Sequence, residues 1–441
     1  AFFVGEIHLR ERLLDTRRSR VSPAGVLGAS ALARRGTMVL LLVCSMVSML
    51  LWSLFSERLQ RWRIAGPMAM VLSGLVIGFI LRDDVASHLN TDLAERTVEI
   101  VLALLLFVDA TEVRGGFLGG ERKIVGRLLG LALPLSIVLT VLVGVPLLGV
   151  SSVAVVLAIA CIVLPIDFAP AAELLRDQRL PRRIRHGLAV ESGYNDGIFS
   201  PLFAFALLLL GLPGETKSPL AALEDAVPAL GFAILVGVGI GGLTGLLARV
   251  SSRRDWVTSH GLRIAMVLIP LVTYACATAI GGNGFVAAFL AGIAYKLTRL
   301  GRAGSHDDVP HAELSLVDEI GQMSALVMWS MFGVVTAFVF MTPFEWTWIL
   351  FGLLALTVFR AIPVYLAFLG SGLNFREQTA LGLLGPRGTS SAVFGLLAFN
   401  AMRDDDAYAA MYIMVVTVLG SVILYGLFGA RAARRLVGSR D

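Results

Sequence analysis

A chain of 441 residues in which 56% of side chains are hydrophobic and only 16% charged, with a mean hydropathy of +0.80, carries more apolar surface than a single water-soluble core hides. The solvent it implies is lipid. A formal net charge of +5 is modest, and the arginines that dominate it fall at the ends of apolar runs, which reads as membrane topology and excludes a nucleic-acid partner.

A hydrocarbon layer about 30 Å thick takes roughly 20 mostly apolar residues per spanning helix. Such runs lie near residues 38–55, 66–81, 97–113, 127–149, 151–172, 187–211, 226–249, 263–281, 283–297, 317–340, 347–369, 378–399 and 408–430, about thirteen in all. The period-two alternation of barrel strands is missing, so the expected fold is an all-α integral membrane protein whose helices satisfy their own backbone polar groups. Cys44, Cys161 and Cys276 each fall within an apolar run and read as small buried residues rather than a disulfide framework or a metal cluster.

Residues 1–36 form a basic tail, expected to be an unstructured arm or to precede a true start at Met38, and without the small-residue cleavage site of a signal peptide. Residues 37–432 read as one transmembrane domain and 433–441 as a short tail. Basic residues mark alternate connections, among them Arg58 and Arg61, Arg122 and Lys123, Arg182 and Arg183, Arg253 and Arg254, Arg299 and Arg302, Arg376, and the segment after Arg431. Positive-inside asymmetry then places the N-terminus outside and the C-terminus in the cytoplasm of a cell membrane.

Two runs are interrupted at equivalent places in the two halves of the chain. Pro165 and Pro170 break the fifth, and Gly385, Pro386 and Gly388 break the twelfth. Paired broken helices mark midplane ion sites in inverted-repeat transporters. A charged side chain within a span costs about 2.5–3.5 kcal/mol on insertion scales, so each one needs a partner or a task. Asp167 in the fifth run, Glu191 and Asp196 in the sixth and Arg387 in the twelfth meet that description. On a helix advancing about 100° per residue, Ser192 and Asp196 fall in one row and Glu191 and Asn195 in another. The first row offers oxygen ligands to a hard monovalent cation. The second offers a carboxylate to a buried guanidinium, for which Arg387 is the expected partner. Unwinding around Asp167 should turn nearby carbonyls toward the ion.

These residues resemble the cation:proton antiporter superfamily, specifically its electroneutral sodium/proton exchanger branch (NhaP/NHE-like). The resemblance rests on Glu-x-x-x-Asn-Asp at Glu191, Asn195 and Asp196, on the preceding Asp167, and on Gly-Pro-Arg-Gly at Gly385 to Gly388. Ala65-Gly66-Pro67 and the run from Gly284 to Gly292 add softer support. The resemblance implies an NhaA-like fold of about thirteen helices. In it, inverted repeats hold crossed discontinuous helices in a core that moves against a dimerisation domain, in a homodimer. It also implies the site. Asp196 exchanges cation and proton, Asn195 goes with electroneutral exchange, Ser192, Asp167 and the carbonyl of Ile166 are ligands, and Glu191 with Arg387 is a structural ion pair. The third run, through Asp109 or Glu112, is the expected source of a further acidic ligand.

Where the family shows a threonine before the fifth-span aspartate, this chain has Ile166, so a hydroxyl is lost there. The function implied is secondary antiport of a monovalent cation, Na+ first and K+ or Li+ next, for H+, with no cofactor. A cation channel or a non-transporting sensor on the same fold is the alternative. An enzyme is not expected, because the runs lack a nucleophile-and-base pattern or a metal-binding histidine motif.

Overall fold

In a bilayer every backbone amide must find its partner within the protein, and among the described residues the chain does so with helices and no strand. The computed structural model describes residues 43–437 except 63, 81–91, 113–120, 151, 172–173, 176, 179, 212–217, 302–308 and 403. Residues 1–36 lie outside these. The helices in chain order are α1 (43–61), α2 (Gly66–Ile80), α3 (Asp92–Glu112), α4 (Arg122–Leu148), α5 (Val153–Val163), α6 (Arg182–Leu210) and α7 (Pro219–Arg253). They continue as α8 (Ser259–Ala279), α9 (Gly284–Leu300), α10 (His311–Phe340), α11 (Trp346–Ala367), α12 (Phe375–Leu383), α13 (Thr389–Ala401) and α14 (Asp404–Val437).

Helical residues occupy each of the thirteen expected runs. Among the described residues seven helices are long and apolar enough to cross a membrane, and α2, α5 and α13 are shorter apolar helices. The two interruptions fall where the prolines and glycines put them. Helix α5 stops at Val163, residues 165–168 are non-helical and a short turn of 3-10 helix follows at Ala169–Ala171. The twelfth run divides into α12 and α13 around an extended segment, 384–388. Helix α11 is also divided, at Thr357, between Trp346–Leu356 and Val358–Ala367.

Helix starts follow ordinary capping chemistry. Ser152, Ser218, Thr258 and Asn283 each accept a backbone amide at the first turn of the helix they precede, and Asn374 and Glu377 form a reciprocal capping box on α12. Helix α13 is different. Its N-cap residue is Gly388, which has no side chain to offer.

Packing sorts the helices into two groups. One is a panel in which α7 and α8 lie on α9, α9 on α3, and α2 on α10; the other gathers α4, α5, α6, α11, α12, α13 and α14 around the two broken elements. Lipid gives apolar side chains no reason to leave it, so helix pairs in the panel associate through close backbone approach. On α7, Gly237, Gly241 and Gly245 form a stripe at helical spacing against Ala287, Ala291 and Tyr295 of α9, and a methyl group at any of the three would run into backbone. Gly74 and Gly78 of α2 do the same against Ser330 and Val334 of α10. Leu142, Leu235 and Leu243, more than half exposed, face outward where lipid belongs. Of the three cysteines expected to be buried only Cys161 is so; Cys44 is half-buried and Cys276 is exposed on the outward face of α8.

Replacing Gly241 with Leu forces apart the α7–α9 contact and should destabilise the protein by about 1–3 kcal/mol, the usual range for overpacking. Gly239→Leu on the same helix, where nothing lies within 4 Å, is the matched control and should shift stability by less than about 0.5 kcal/mol. Thermal unfolding of the two variants in detergent reads the difference.

Candidate functional site

The two unwound segments meet at mid-protein. The amide of Asp167 donates to the carbonyl of Pro386 (2.8 Å), which fastens one extended stretch directly to the other. Asp167 then reaches past Gly388. Its Oδ2 accepts the Thr389 amide (2.8 Å) and the Thr389 hydroxyl (2.7 Å), so Asp167 supplies in trans the cap that α13 lacks. The positive end of the α13 dipole faces the same oxygen. Only glycine fits at 388, since a methyl group there would overlap the Asp167 carboxylate.

Helix ends of the opposite polarity are collected by Arg387. Its Nε donates to the carbonyl of Val163 at the last residue of α5 (2.6 Å), one terminal nitrogen to Gly385 (2.6 Å) and the other to Ala355 at the break in α11 (3.1 Å). Its backbone amide donates to Ser421 of α14 (2.6 Å). This side chain, fully buried, satisfies carbonyls that breaking a helix would otherwise orphan in an apolar interior. Each such orphan would cost about 1–3 kcal/mol.

The expected pair of Glu191 with Arg387 is therefore corrected. Glu191 is held by Arg360 of α11, in a two-pronged contact with Nη1 to Oε1 at 2.7 Å and Nη2 to Oε2 at 2.9 Å. Arg360 also donates to the carbonyl of Leu381 near the end of α12 (3.0 Å). The reason is geometric. The planar fork of Arg360 meets the carboxylate side-on, whereas the donors of Arg387 are taken up by three backbone carbonyls. Gly385 makes room for this, because a methyl group there would strike both Arg360 and Ile166. The hydroxyl of Tyr425 donates to Leu383 and closes the end of α12.

Helix α6 brings the remaining candidates together. Ser192 Oγ and the Asn195 side-chain amide both donate to the carbonyl of Ile166, at 3.2 and 3.4 Å. Asn195 keeps its place one turn from Glu191 on α6, and its amide reaches sideways to the same carbonyl of the unwound segment that Ser192 meets. Asp196 is buried next to Ser390 and within electrostatic reach of Asp167. Its Oδ1 has no hydrogen-bond partner, and neither does the buried hydroxyl of Ser200. Such a set of hard oxygen acceptors and hydroxyls suits a proton or a hydrated monovalent cation.

On the opposite side of α6, Gly197 lies against the ring of Phe289 of α9, with Tyr194 packed edge-on to the same ring. The boundary between the two helix groups therefore passes beside Asp196. Asp109 is half-buried on α3, which packs against α6 and α13. The side chain of Glu112 lies outside the described residues.

Arg360, Thr389 and Ser390 were not picked out from sequence. A signal existed for each, since Arg360 is a lone charge within the eleventh apolar run and three hydroxyl residues, Thr389, Ser390 and Ser391, directly follow the Gly-Pro-Arg-Gly turn.

Residues 44–431 match the family model described as sodium/hydrogen exchanger, transmembrane. A Na(+)/H(+) antiporter of Schizosaccharomyces pombe is 24% identical over 276 residues, covering 56% of this chain and 57% of that protein. A K(+)/H(+) antiporter NhaP2 of Shewanella oneidensis is 27% identical over 277 residues, 60% of this chain and 45% of that one. The chain thus spans about half the length of the curated relatives it matches. The sodium proton antiporter MjNhaP1 from Methanocaldococcus jannaschii, in its structure at pH 8, superposes with a TM-score of 0.68 at 19% identity, over 91% of this chain and 100% of that one, a likeness of fold.

Removing one partner of a buried, hydrogen-bonded ion pair typically costs about 3–5 kcal/mol. Glu191→Ala and Arg360→Ala should each fall in that range, and the double variant should be far less destabilised than the sum. Glu191→Ala combined with Arg387→Ala should show a smaller coupling than the Glu191–Arg360 pair, because these two side chains share no hydrogen bond. Unfolding of the two double-mutant cycles, Glu191 with Arg360 and Glu191 with Arg387, in detergent distinguishes the two arrangements.

Proposed function

Because residues 44–431 make this chain a member of the sodium/hydrogen exchanger family, we propose that it exchanges a monovalent cation for protons across a cell membrane by alternating access. Sodium is the favoured cation, with potassium or lithium as the other candidates, and these ions are substrates rather than resident cofactors. The observation that carries this reading is the buried carboxylate of Asp196, its Oδ1 without a donor, set beside the crossing of two unwound helices. Its neighbour Asp167 is by contrast committed to Thr389 through one oxygen.

Proton and cation compete for Asp196. Whichever occupies it leaves when the site opens to the other side, so competition alone couples the two flows and no separate gate is needed. Asp167, the Ser192 hydroxyl and the Ile166 carbonyl stand by as further oxygen ligands, with Thr389 and Ser390 supplying the hydroxyls that Ile166 does not. Asn195 cannot ionise, so one charge is exchanged per cycle and transport is electroneutral. Arg387, Arg360 and Glu191 hold the backbone geometry and take no part in exchange.

The moving boundary is the one between α6 and α9, where Gly197 and Phe289 meet. The chain lies with its N-terminus outside and C-terminus in the cytoplasm and works as a homodimer, a reading supported by the basic residues at alternate helix ends and by the family likeness. In proteoliposomes, sodium, potassium and lithium in turn should drive proton flux that a clamped membrane potential does not alter. Asp196→Asn should abolish that flux. Retained exchange in Asp196→Asn would overturn the assignment of the exchanging carboxylate.

A further inference from the structure

A cavity of about 260 Å³ opens on the face of the protein where α6 and α8 end and α9 begins, and it runs inward between α3, α6, α8, α9 and α13. Its polar lining is uneven. Glu99 of α3 stands at the mouth, three-quarters or more of its side chain withdrawn from solvent, with Arg96 donating to it at 3.0 Å from an exposed position. The Tyr274 hydroxyl of α8 lies within electrostatic reach of both. Asn400 contributes a buried Oδ1 with no partner. Deepest is Ser200, 1% exposed, whose hydroxyl also has no partner.

Ser200 is one helical turn from Asp196, a rise of about 6 Å along the same face of α6. Glu99, Asn400 and Ser200 therefore line one cavity with hard oxygens, the last of them one turn of α6 from Asp196. Phe203 of α6, in contact with Phe394 of α13 (ring centroids 4.8 Å apart), bounds it with apolar surface that would concentrate the field of the acid at the mouth. Gly284 lets the Tyr274 ring lie directly on the start of α9, so this wall is packed backbone rather than a loose loop.

We propose that Glu99, with Asn400 and Ser200, is a staging site for the monovalent cation on its way to Asp196 from this face, and that Arg96 is a tethered cation which the arriving ion displaces from Glu99. The proposal rests on the exchange reading above and adds a second, weaker cation site with a direction. By the topology proposed, this face is the external one. Removing the acid matters only for ions entering here. Removing the arginine frees the acid and acts in the opposite sense, which a purely structural Arg96–Glu99 bridge would not do, since breaking such a bridge from either end has the same effect.

The test measures the half-saturating sodium concentration of exchange in right-side-out and in everted membrane vesicles. Glu99→Gln should raise it by about three- to ten-fold for sodium offered at the external face and leave it within about two-fold at the cytoplasmic face. Arg96→Gln should lower the external value. Equal shifts at both faces, no shift, or shifts of the same sign in the two variants would overturn the staging site while leaving exchange intact. Absence of sodium-driven flux in the native protein would instead count against the exchange reading. Sodium NMR line broadening of the purified Asp196→Asn protein keeps the two apart, because residual sodium binding should persist there and disappear when Glu99→Gln is added; broadening indifferent to Glu99→Gln would sink the proposal.

Discussion

Breaking a helix in the middle of a membrane exposes backbone groups with no water to receive them, and everything distinctive in this protein follows from how those groups are satisfied. Two side chains do most of it, and they have opposite sign. Arg387 gathers the carbonyls at the end of α5 and at the break in α11 together with that of Gly385. Asp167 takes the amide that opens α13. The signs match the partial charges at helix ends, cation to carbonyl terminus and anion to amide terminus.

Once these ends are closed, the crossing becomes a rigid frame. Arg360 and Tyr425 finish α12, and Arg360 in turn fixes Glu191, so α6 is registered against the broken elements. That register delivers Ser192 and Asn195 to the Ile166 carbonyl and leaves Asp196 beside Ser390. Asp167, Glu191, Arg360 and Arg387 all find hydrogen-bond partners in this frame, while Oδ1 of Asp196 is left without one. Helix α6 meets the frame on one side and, through Gly197, the panel helix α9 on the other. The exchange proposed here would use that seam, one body positioning Asp196 and the other sliding past it.

The membrane class and the helical runs were legible because hydropathy over some 20 residues is a local property. So were the two interruptions, since proline lacks a donor and glycine a side chain wherever they stand. Asp167, Glu191, Asp196 and Arg387 were conspicuous in sequence as charges within apolar runs, and the structure gathers all four at the crossing. Their pairing was not legible. Glu191 and Arg360 are 169 positions apart, and nothing in spacing tells which of two buried arginines a carboxylate meets. Arg387 misled because an arginine among acids invites an ion pair, whereas three backbone carbonyls, two of them at helix ends, made a stronger claim on its donors. Thr389 and Ser390 went unread for a similar reason, because hydroxyls at a helix start look like ordinary caps until a carboxylate arrives from another helix.

The central claim is that a proton and a metal cation occupy one buried carboxylate by turns. Adding sodium to the purified protein in lightly buffered detergent, over a range of starting pH, reads that claim without transport. The account predicts release of roughly one proton for each cation bound wherever the carboxylate starts protonated. Sodium bound with no proton released at any starting pH would contradict it.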